Sequence, residues 1–173
     1  GPAAGTIVTP GIAKNALTVG ATMNGAPSID LFGSSASRTR PSEDYTADWL
    51  AEYSSRGSPS LPFLKPDIVA PGGPYVVSAD NDASKDGACA DDRDTTVGLA
   101  GTSMATPAVA GALVLLREAL MSSNWSQSVL LAPNEIPSGS LLRALVTAGA
   151  QPLLGGFPRK TTLAAESFGF GRV

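Results

Sequence analysis

The stretch that most constrains this chain runs from Gly101 to Leu116 and reads GTSMATPAVAGALVLL. From Ala105 onward, Thr106 is its one residue more polar than Gly or Pro, so a helix formed here is apolar all round. Such a helix is typically packed on every side. The sequence therefore predicts a helix over 105–116 that lies inside a core, preceded by a β-branched strand over 95–100 and a tight turn.

Ser103 lies at the start of this predicted helix. Unpaired N–H groups and the positive end of the helix dipole favour negative charge at that place. Pro107 follows four residues later and lacks the N–H that would bond the Ser103 carbonyl. Local rules broken at one spot are typical of functional or strained sites. The alternative is that Ser103 or Thr102 is simply an N-cap.

The string Gly-Thr-Ser-Met-Ala-Thr-Pro over 101–107 resembles, at every position, the nucleophile motif of the subtilisin-like serine proteases, the subtilases. Val-Ala-Gly follows on the helix, as in that family. A match of this length in a strand, turn and helix is far more specific than a short Gly-x-Ser-x-Gly frame. Other segments that resemble the family are 10–21, 53–57, 65–72 and 169–173.

The resemblance implies an α/β fold, a three-layer subtilisin-like domain with a mostly parallel sheet. Residues 1–173 would be the C-terminal part of the catalytic domain, and its N-terminal part would lie upstream. Pattern and turn residues predict further strands over 16–23 and 75–79, and a short one at 68–69 that Pro71-Gly72 stops. They also predict a surface loop over 24–51, and a helix over 138–148 capped by Ser138 or Ser140 and ended by Gly149.

For mechanism, the resemblance implies that Ser103 is the nucleophile of an endopeptidase that forms an acyl-enzyme. The N–H of Ser103 and the hydroxyl of Thr102 would stabilise the oxyanion, and Gly101 would contact substrate. Val8 would line the primary specificity pocket and make it shallow; the alternative is that Val8 is ordinary core. The Thr9-Pro10 bond matches a position that is cis in the family.

A cation is also implied, although the reaction requires no cofactor. Asp67, with the carbonyls of Gly11, Ala13 and Ala16, resembles the weaker cation site of the family, which would hold a structural calcium or a monovalent ion. The alternative is an Asp paired to Lys or solvent. The acidic run over 80–94 begins like a calcium loop, but Arg93 stands where a bidentate Glu is required, which favours a solvated loop.

The chain contains no histidine. A serine nucleophile needs a neighbouring base, most often His, so either the chain is not an enzyme or it is part of a longer one. The resemblance places the His, the Asp that orients it and the oxyanion Asn upstream, and we expect the chain by itself to be inactive. The alternatives are a pseudoenzyme that binds without cleaving, and an esterase, which the absent Gly-x-Ser-x-Gly elbow disfavours.

Composition sets the remaining limits. With 43% hydrophobic and 16% charged residues the chain is globular, and its net charge of -3 without a basic cluster argues against nucleic acid. Pro107 and Arg117 argue against a membrane span, so the expected partners are a polypeptide substrate and the upstream part of the domain. The single Cys89 excludes an internal disulfide, and the sequon at Asn124 favours an extracellular or secretory location.

Overall fold

The computed structural model describes residues 3–24, 47–57, 60, 62–73, 76–79, 96–122, 135–156 and 165–173. The strands are β1 (Val19–Met23), β2 (Trp49–Leu50), β3 (Ile68–Gly73), β4 (Val76–Ala79), β5 (Thr96–Leu99) and β6 (Gly155–Gly156). The helices are α1 (Thr102–Met121) and α2 (Gly139–Ala148), and a short 3-10 helix spans Ala165–Ser167. All predicted helices and strands are present, with shifted ends.

Four strands form one sheet in the order β3-β1-β2-β6, and β4 pairs with β5 in a separate antiparallel sheet. β1 is parallel to β3 and β2 is parallel to β6, whereas β2 runs antiparallel to β1. The main sheet is therefore mixed. The expectation of a mostly parallel sheet agrees with the pairings of β1 with β3 and of β2 with β6, but not with the pairing of β1 with β2.

β3 is longer than predicted. The strand continues through Pro71 and Gly72, which were expected to end it, and pairs with β1 as far as Gly73. The register shifts between Thr22 and Met23 of β1, opposite this segment. Irregularities of this kind accommodate a proline, which cannot donate to the ladder.

Part of the predicted surface loop over 24–51 is not a loop. Trp49 and Leu50 form β2, and the N–H of Ala51 donates to the carbonyl of Ala21 at 2.9 Å. Leu50 and Ala51 are buried, because pairing with β1 brings this short apolar segment into the core.

Among the described residues, α1 packs through one face against β1, β3 and α2. Its buried residues Ala105, Val109 and Leu120 recur at helical spacing along that face. The opposite face is open: Val114 is 64% exposed and Leu115 is 66% exposed. The prediction that α1 is packed on every side is therefore wrong for the described structure, since its described neighbours cover a single face.

By length and composition alone α1 could also cross a membrane, although Pro107 and Arg117 argue against such a span. Core helices of soluble proteins share this property, and α1 lies with one face on the sheet. The feature therefore gives no argument for a membrane span.

α2 begins and ends as predicted. Ser138 is its N-cap and accepts a hydrogen bond from the N–H of Leu141, and Gly149 is its C-cap. Val146 of α2 joins the core cluster that contains Val109 of α1 and Ala21 of β1. Both helices therefore contribute to one core beside the sheet.

Candidate active site

The turn into α1 depends on a glycine. Gly101 is the N-cap of α1 with φ 154° and ψ 167°, a conformation essentially confined to glycine. Its N–H donates to the carbonyl of Gly72 in β3 at 2.6 Å, and its carbonyl accepts from the N–H of Met104 at 3.0 Å. One residue thus fixes the helix start to the sheet and begins the helical hydrogen bonds.

Gly72 lets the turn approach the strand closely. A Cβ at this position would lie 2.7 Å from the carbonyl oxygen of Gly101 and 2.6 Å from the Cβ of Ala21. Both distances are shorter than a real contact, so a side chain here would push α1 away from the sheet. Glycine at this position brings the helix start into backbone contact with β3.

Ser103 is the second residue of α1, and its side chain is exposed. The helix start has no side-chain cap, so the alternative that Ser103 or Thr102 is an N-cap is wrong. At this position the N–H of Ser103 has no acceptor within the helix. Nor does its hydroxyl bond any other group in the described part of the chain. A hydroxyl and an N–H therefore face solvent together at the positive end of a helix dipole.

Pro107 lies inside α1, as predicted, one turn after Ser103. It removes the N–H that would otherwise bond the Ser103 carbonyl. The neighbouring carbonyl, that of Thr102, accepts from the hydroxyl of Thr106 at 2.9 Å. The first turn of α1 is thus held by Thr106 while the backbone of Ser103 has fewer internal bonds than a regular helix provides.

Tyr53 lies near this turn; it opens the segment 53–57 that resembles the family, but no role was predicted for its side chain. Its hydroxyl donates to the carbonyl of Gly72 at 2.9 Å, the same oxygen that accepts from Gly101. Burial, with a smaller contribution from the charge of Glu52, raises the pKa of Tyr53 to about 12. The hydroxyl therefore stays protonated and remains a donor at any ordinary pH.

Asp67 lies in a buried cluster of charges. Its carboxylate pairs with the ammonium of Lys65 at 2.6 Å and with the guanidinium of Arg143 at 2.7 Å. The N–H of Thr18 adds a third hydrogen bond at 2.7 Å. Both Asp67 and Lys65 are almost completely buried. The pairing of Asp67 with lysine, stated above as the alternative to a cation site, is what the structure shows.

The carbonyls expected to complete a cation site are also occupied. Gly11 accepts from the hydroxyl of Thr18 at 2.6 Å, Ala13 from the N–H of Ala16 at 3.3 Å, and Ala16 from the ammonium of Lys65 at 2.6 Å. The ammonium stands where a metal ion would have to bind. The residues around Asp67 therefore do not fit a calcium or monovalent ion.

The predicted site residues do not all come together. Gly101, Thr102 and Ser103 form one turn at the C-terminal end of β3, whereas Asp67 precedes the N-terminal end of the same strand. Gly72 lies five residue steps along the extended strand from Asp67, which is about 16 Å. Asp67 is thus too far away to assist Ser103.

Val8 lies in the loop before β1 and is 74% exposed, so the alternative that it is ordinary core is wrong. The Thr9-Pro10 bond is cis, as the resemblance implied, and Lys65-Pro66 is cis as well.

The acidic run over 80–94, Cys89 and the sequon at Asn124 lie outside the described residues. Within the described ranges no group of three or more His, Cys, Asp or Glu is placed to hold a metal ion.

Comparison with known proteins agrees with this geometry. Residues 1–171 match the model of the Subtilase family. The chain is 37% identical over 69% of its length to a Dictyostelium discoideum protein named serine protease/ABC transporter B family protein tagD, of which it covers 7%. It is 40% identical over 47% of its length to subtilisin-like protease SBT3.10 of Arabidopsis thaliana, and it covers 10% of that protein. A PII-type proteinase of Lactococcus lactis subsp. cremoris is 34% identical over 49% of this chain, which covers 4% of it. The chain thus spans a tenth or less of the length of these relatives.

Proposed function

This chain belongs to the subtilase family, and from that premise we propose that it is the nucleophile-bearing C-terminal part of a serine endopeptidase catalytic domain. The observation that carries the proposal is the placement of Ser103. Its hydroxyl is exposed, uncommitted to capping, and adjacent to an N–H with no helical acceptor. Protease names among the relatives support the same activity class.

In the proposed reaction, Oγ of Ser103 forms a bond to the carbonyl carbon of a peptide. The hydroxyl proton passes to a histidine of the upstream part of the domain, which an upstream Asp orients. That histidine then gives the proton to the departing amine, and the C–N bond breaks to leave an ester on Ser103. Water hydrolyses the ester and restores the hydroxyl. No cofactor takes part in these steps.

The oxyanion of the tetrahedral intermediate would form beside the start of α1. The N–H of Ser103 would donate to it, helped by the positive end of the helix dipole and by the hydroxyl of Thr102. An upstream Asn would supply the second donor. Gly101 and Val8 would contact the polypeptide substrate, with Val8 limiting the depth of the primary specificity pocket.

The upstream part of the domain is also the proposed source of the third layer. With it, the sheet and the two helices would form the three-layer fold of the family. The open face of α1, which includes Val114 and Leu115, is the apolar surface such a layer would cover. The sequon at Asn124 supports a location outside the cell or in the secretory pathway.

The test is Ser103→Ala in the full-length protein, assayed on casein and with a fluorophosphonate probe. We expect hydrolysis to fall by several orders of magnitude and labelling to be lost, with thermal unfolding unchanged. Ser138→Ala is the matched control, because it removes a serine hydroxyl from the start of the other helix, and it should cleave like the wild type. A Ser103→Ala variant that still cleaves casein at nearly the wild-type rate would refute the assignment. A wild-type protein that neither cleaves nor labels would support the pseudoenzyme alternative.

A further inference from the structure

The carbonyl of Gly72 is shared by two donors from different parts of the chain. The N–H of Gly101 reaches it at 2.6 Å and the hydroxyl of Tyr53 reaches it at 2.9 Å. A carbonyl oxygen has two lone pairs, so these two bonds use its full accepting capacity. One of the donors belongs to the residue that sets the start of α1, two positions before Ser103.

The backbone around Tyr53 is itself fixed to the sheet. The hydroxyl of Ser54, which is fully buried, accepts from the N–H of Ala21 at 3.0 Å. The N–H of Ala51 donates to the carbonyl of the same Ala21 at 2.9 Å. Two hydrogen bonds with one residue of β1 thus hold the chain on both sides of Tyr53, so the ring starts from a fixed backbone.

Room for the hydroxyl is provided by the next glycine of β3. A Cβ on Gly73 would lie 2.3 Å from the Tyr53 oxygen and 2.8 Å from the Cβ of Ala100. Any side chain at position 73 would therefore expel the tyrosine hydroxyl from Gly72. The end of β3, the turn and Tyr53 therefore pack closely only because positions 72 and 73 carry no side chain.

From this geometry we infer that Tyr53 is a positioning residue, whose hydroxyl holds the Gly72 carbonyl and thereby sets where Ser103 presents its hydroxyl and N–H. The inference rests on the proposed function and adds to it a specific contact outside the serine motif. Small misplacements of a catalytic group lower the rate of the chemical step without weakening substrate binding to the same degree.

The raised pKa of Tyr53 agrees with this role, because a protonated hydroxyl can donate whereas a phenolate cannot. The exposed fraction of Tyr53 is 40%, so a change in its hydroxyl leaves the buried core intact. The two observations make Tyr53→Phe a clean deletion of one hydrogen bond.

The experiment compares Tyr53→Phe with the wild type in the full-length protein. We expect kcat for peptide hydrolysis to fall about three- to tenfold, the effect of one neutral hydrogen bond, with KM changed less than about twofold. The second-order rate of fluorophosphonate labelling should fall by the same factor. Thr147→Val is the control: it removes a hydroxyl that bonds the Arg143 carbonyl within α2 at 2.9 Å, and it should keep the wild-type kcat.

A rescue separates positioning from general stability. Replacing Tyr53 by 4-aminophenylalanine restores a donor at the same place, and kcat should return to within about twofold of the wild type. The inference is overturned if Tyr53→Phe keeps the wild-type kcat while Ser103→Ala abolishes cleavage, and the proposed function then survives. It is also overturned if Thr147→Val loses as much kcat. Should Tyr53→Phe fail to fold, the aminophenylalanine variant is the deciding test. If that variant folds and its kcat is still about tenfold lower than that of the wild type, the inference is contradicted, because the donor has been restored. Residual cleavage by Ser103→Ala would instead refute the proposed function.

Discussion

The two helices begin in opposite ways, although each has a serine at its start. In α2, Ser138 is the N-cap, has an extended backbone with φ -68° and ψ 153°, and accepts from the N–H of Leu141 at 3.1 Å. In α1 the N-cap is Gly101, which offers no side chain, and Ser103 lies inside the first turn. The hydroxyl of Ser138 is committed to its helix, whereas that of Ser103 bonds no group among the residues that the structure describes.

The two starts differ in what their N–H groups can do: one contributes to stability and the other can bind a ligand. A capped start satisfies one of the orphan N–H groups of a helix and stabilises it. An uncapped start leaves those groups and the dipole available to a ligand. α2 is further fastened by Arg143, which reaches the buried Asp67. α1 instead shows an open polar start that fits a reaction site.

The largest effect on stability is expected in the buried charge cluster around Asp67, to which Arg143 of α2 is bonded. Lys65→Met removes the ammonium that pairs with Asp67 and bonds the Ala16 carbonyl. The buried carboxylate then loses its fully buried charged partner and keeps Arg143, which is 34% exposed, and the N–H of Thr18. Breaking a buried pair from one side lowers the free energy of unfolding by about 3–5 kcal/mol. The measurement is chemical denaturation of the full-length protein, followed at the transition of the domain that contains these residues.

Lys14→Met is the control for this prediction, because Lys14 is an exposed lysine close to the same cluster and its backbone carbonyl already accepts from Arg143. It should change the free energy of unfolding by less than about 0.5 kcal/mol. Equal losses for the two variants would mean that the buried pair of Lys65 and Asp67 contributes no stability of its own.

A smaller loss is expected at the uncapped start. Gly101→Ala places a side chain at φ 154° and ψ 167°, which costs about 1–3 kcal/mol of stability. The strain should also move the turn and lower hydrolysis, since Ser103 follows two residues later. Thermal unfolding and kcat measured on the same preparation check both effects.

Gly139→Ala gives the matched comparison at the start of α2. A Cβ at Gly139 meets nothing within 4 Å, so the change should be neutral or stabilise the protein by up to about 1 kcal/mol. If Gly101→Ala and Gly139→Ala changed the free energy of unfolding equally, the backbone conformation of Gly101 would not require glycine.

The sequence was most informative where a local rule decides the structure. Helix period, capping serine and terminal glycine predicted α2 with Ser138 and Gly149 at its ends, and the cis Thr9-Pro10 bond was implied by resemblance. Ser103 at an exposed helix start followed from its motif. These features depend on residues within a few positions of one another.

Features that depend on distant contacts were missed or wrong. Arg143 lies 76 residues from Asp67, and no spacing in the sequence links them. The shared carbonyl of Gly72 requires a strand, a turn and a tyrosine from three segments. The burial of α1 was overestimated because an apolar sequence says that a face can be covered, but not which neighbour covers it.

The smallest prediction tests the two serines directly. Ser138→Ala removes the bond from the N–H of Leu141, and loss of such a cap lowers the free energy of unfolding by about 1 kcal/mol. Ser140 lies two residues further along, is exposed and is not the N-cap, so Ser140→Ala should change the free energy of unfolding by no more than a few tenths of a kcal/mol. Ser103→Ala should resemble Ser140→Ala in stability, because its hydroxyl bonds no group in the described part of the chain. If Ser103→Ala instead destabilised the protein as much as Ser138→Ala, the hydroxyl of Ser103 would have a structural partner, and the free start of α1 could not be the basis of the reaction site.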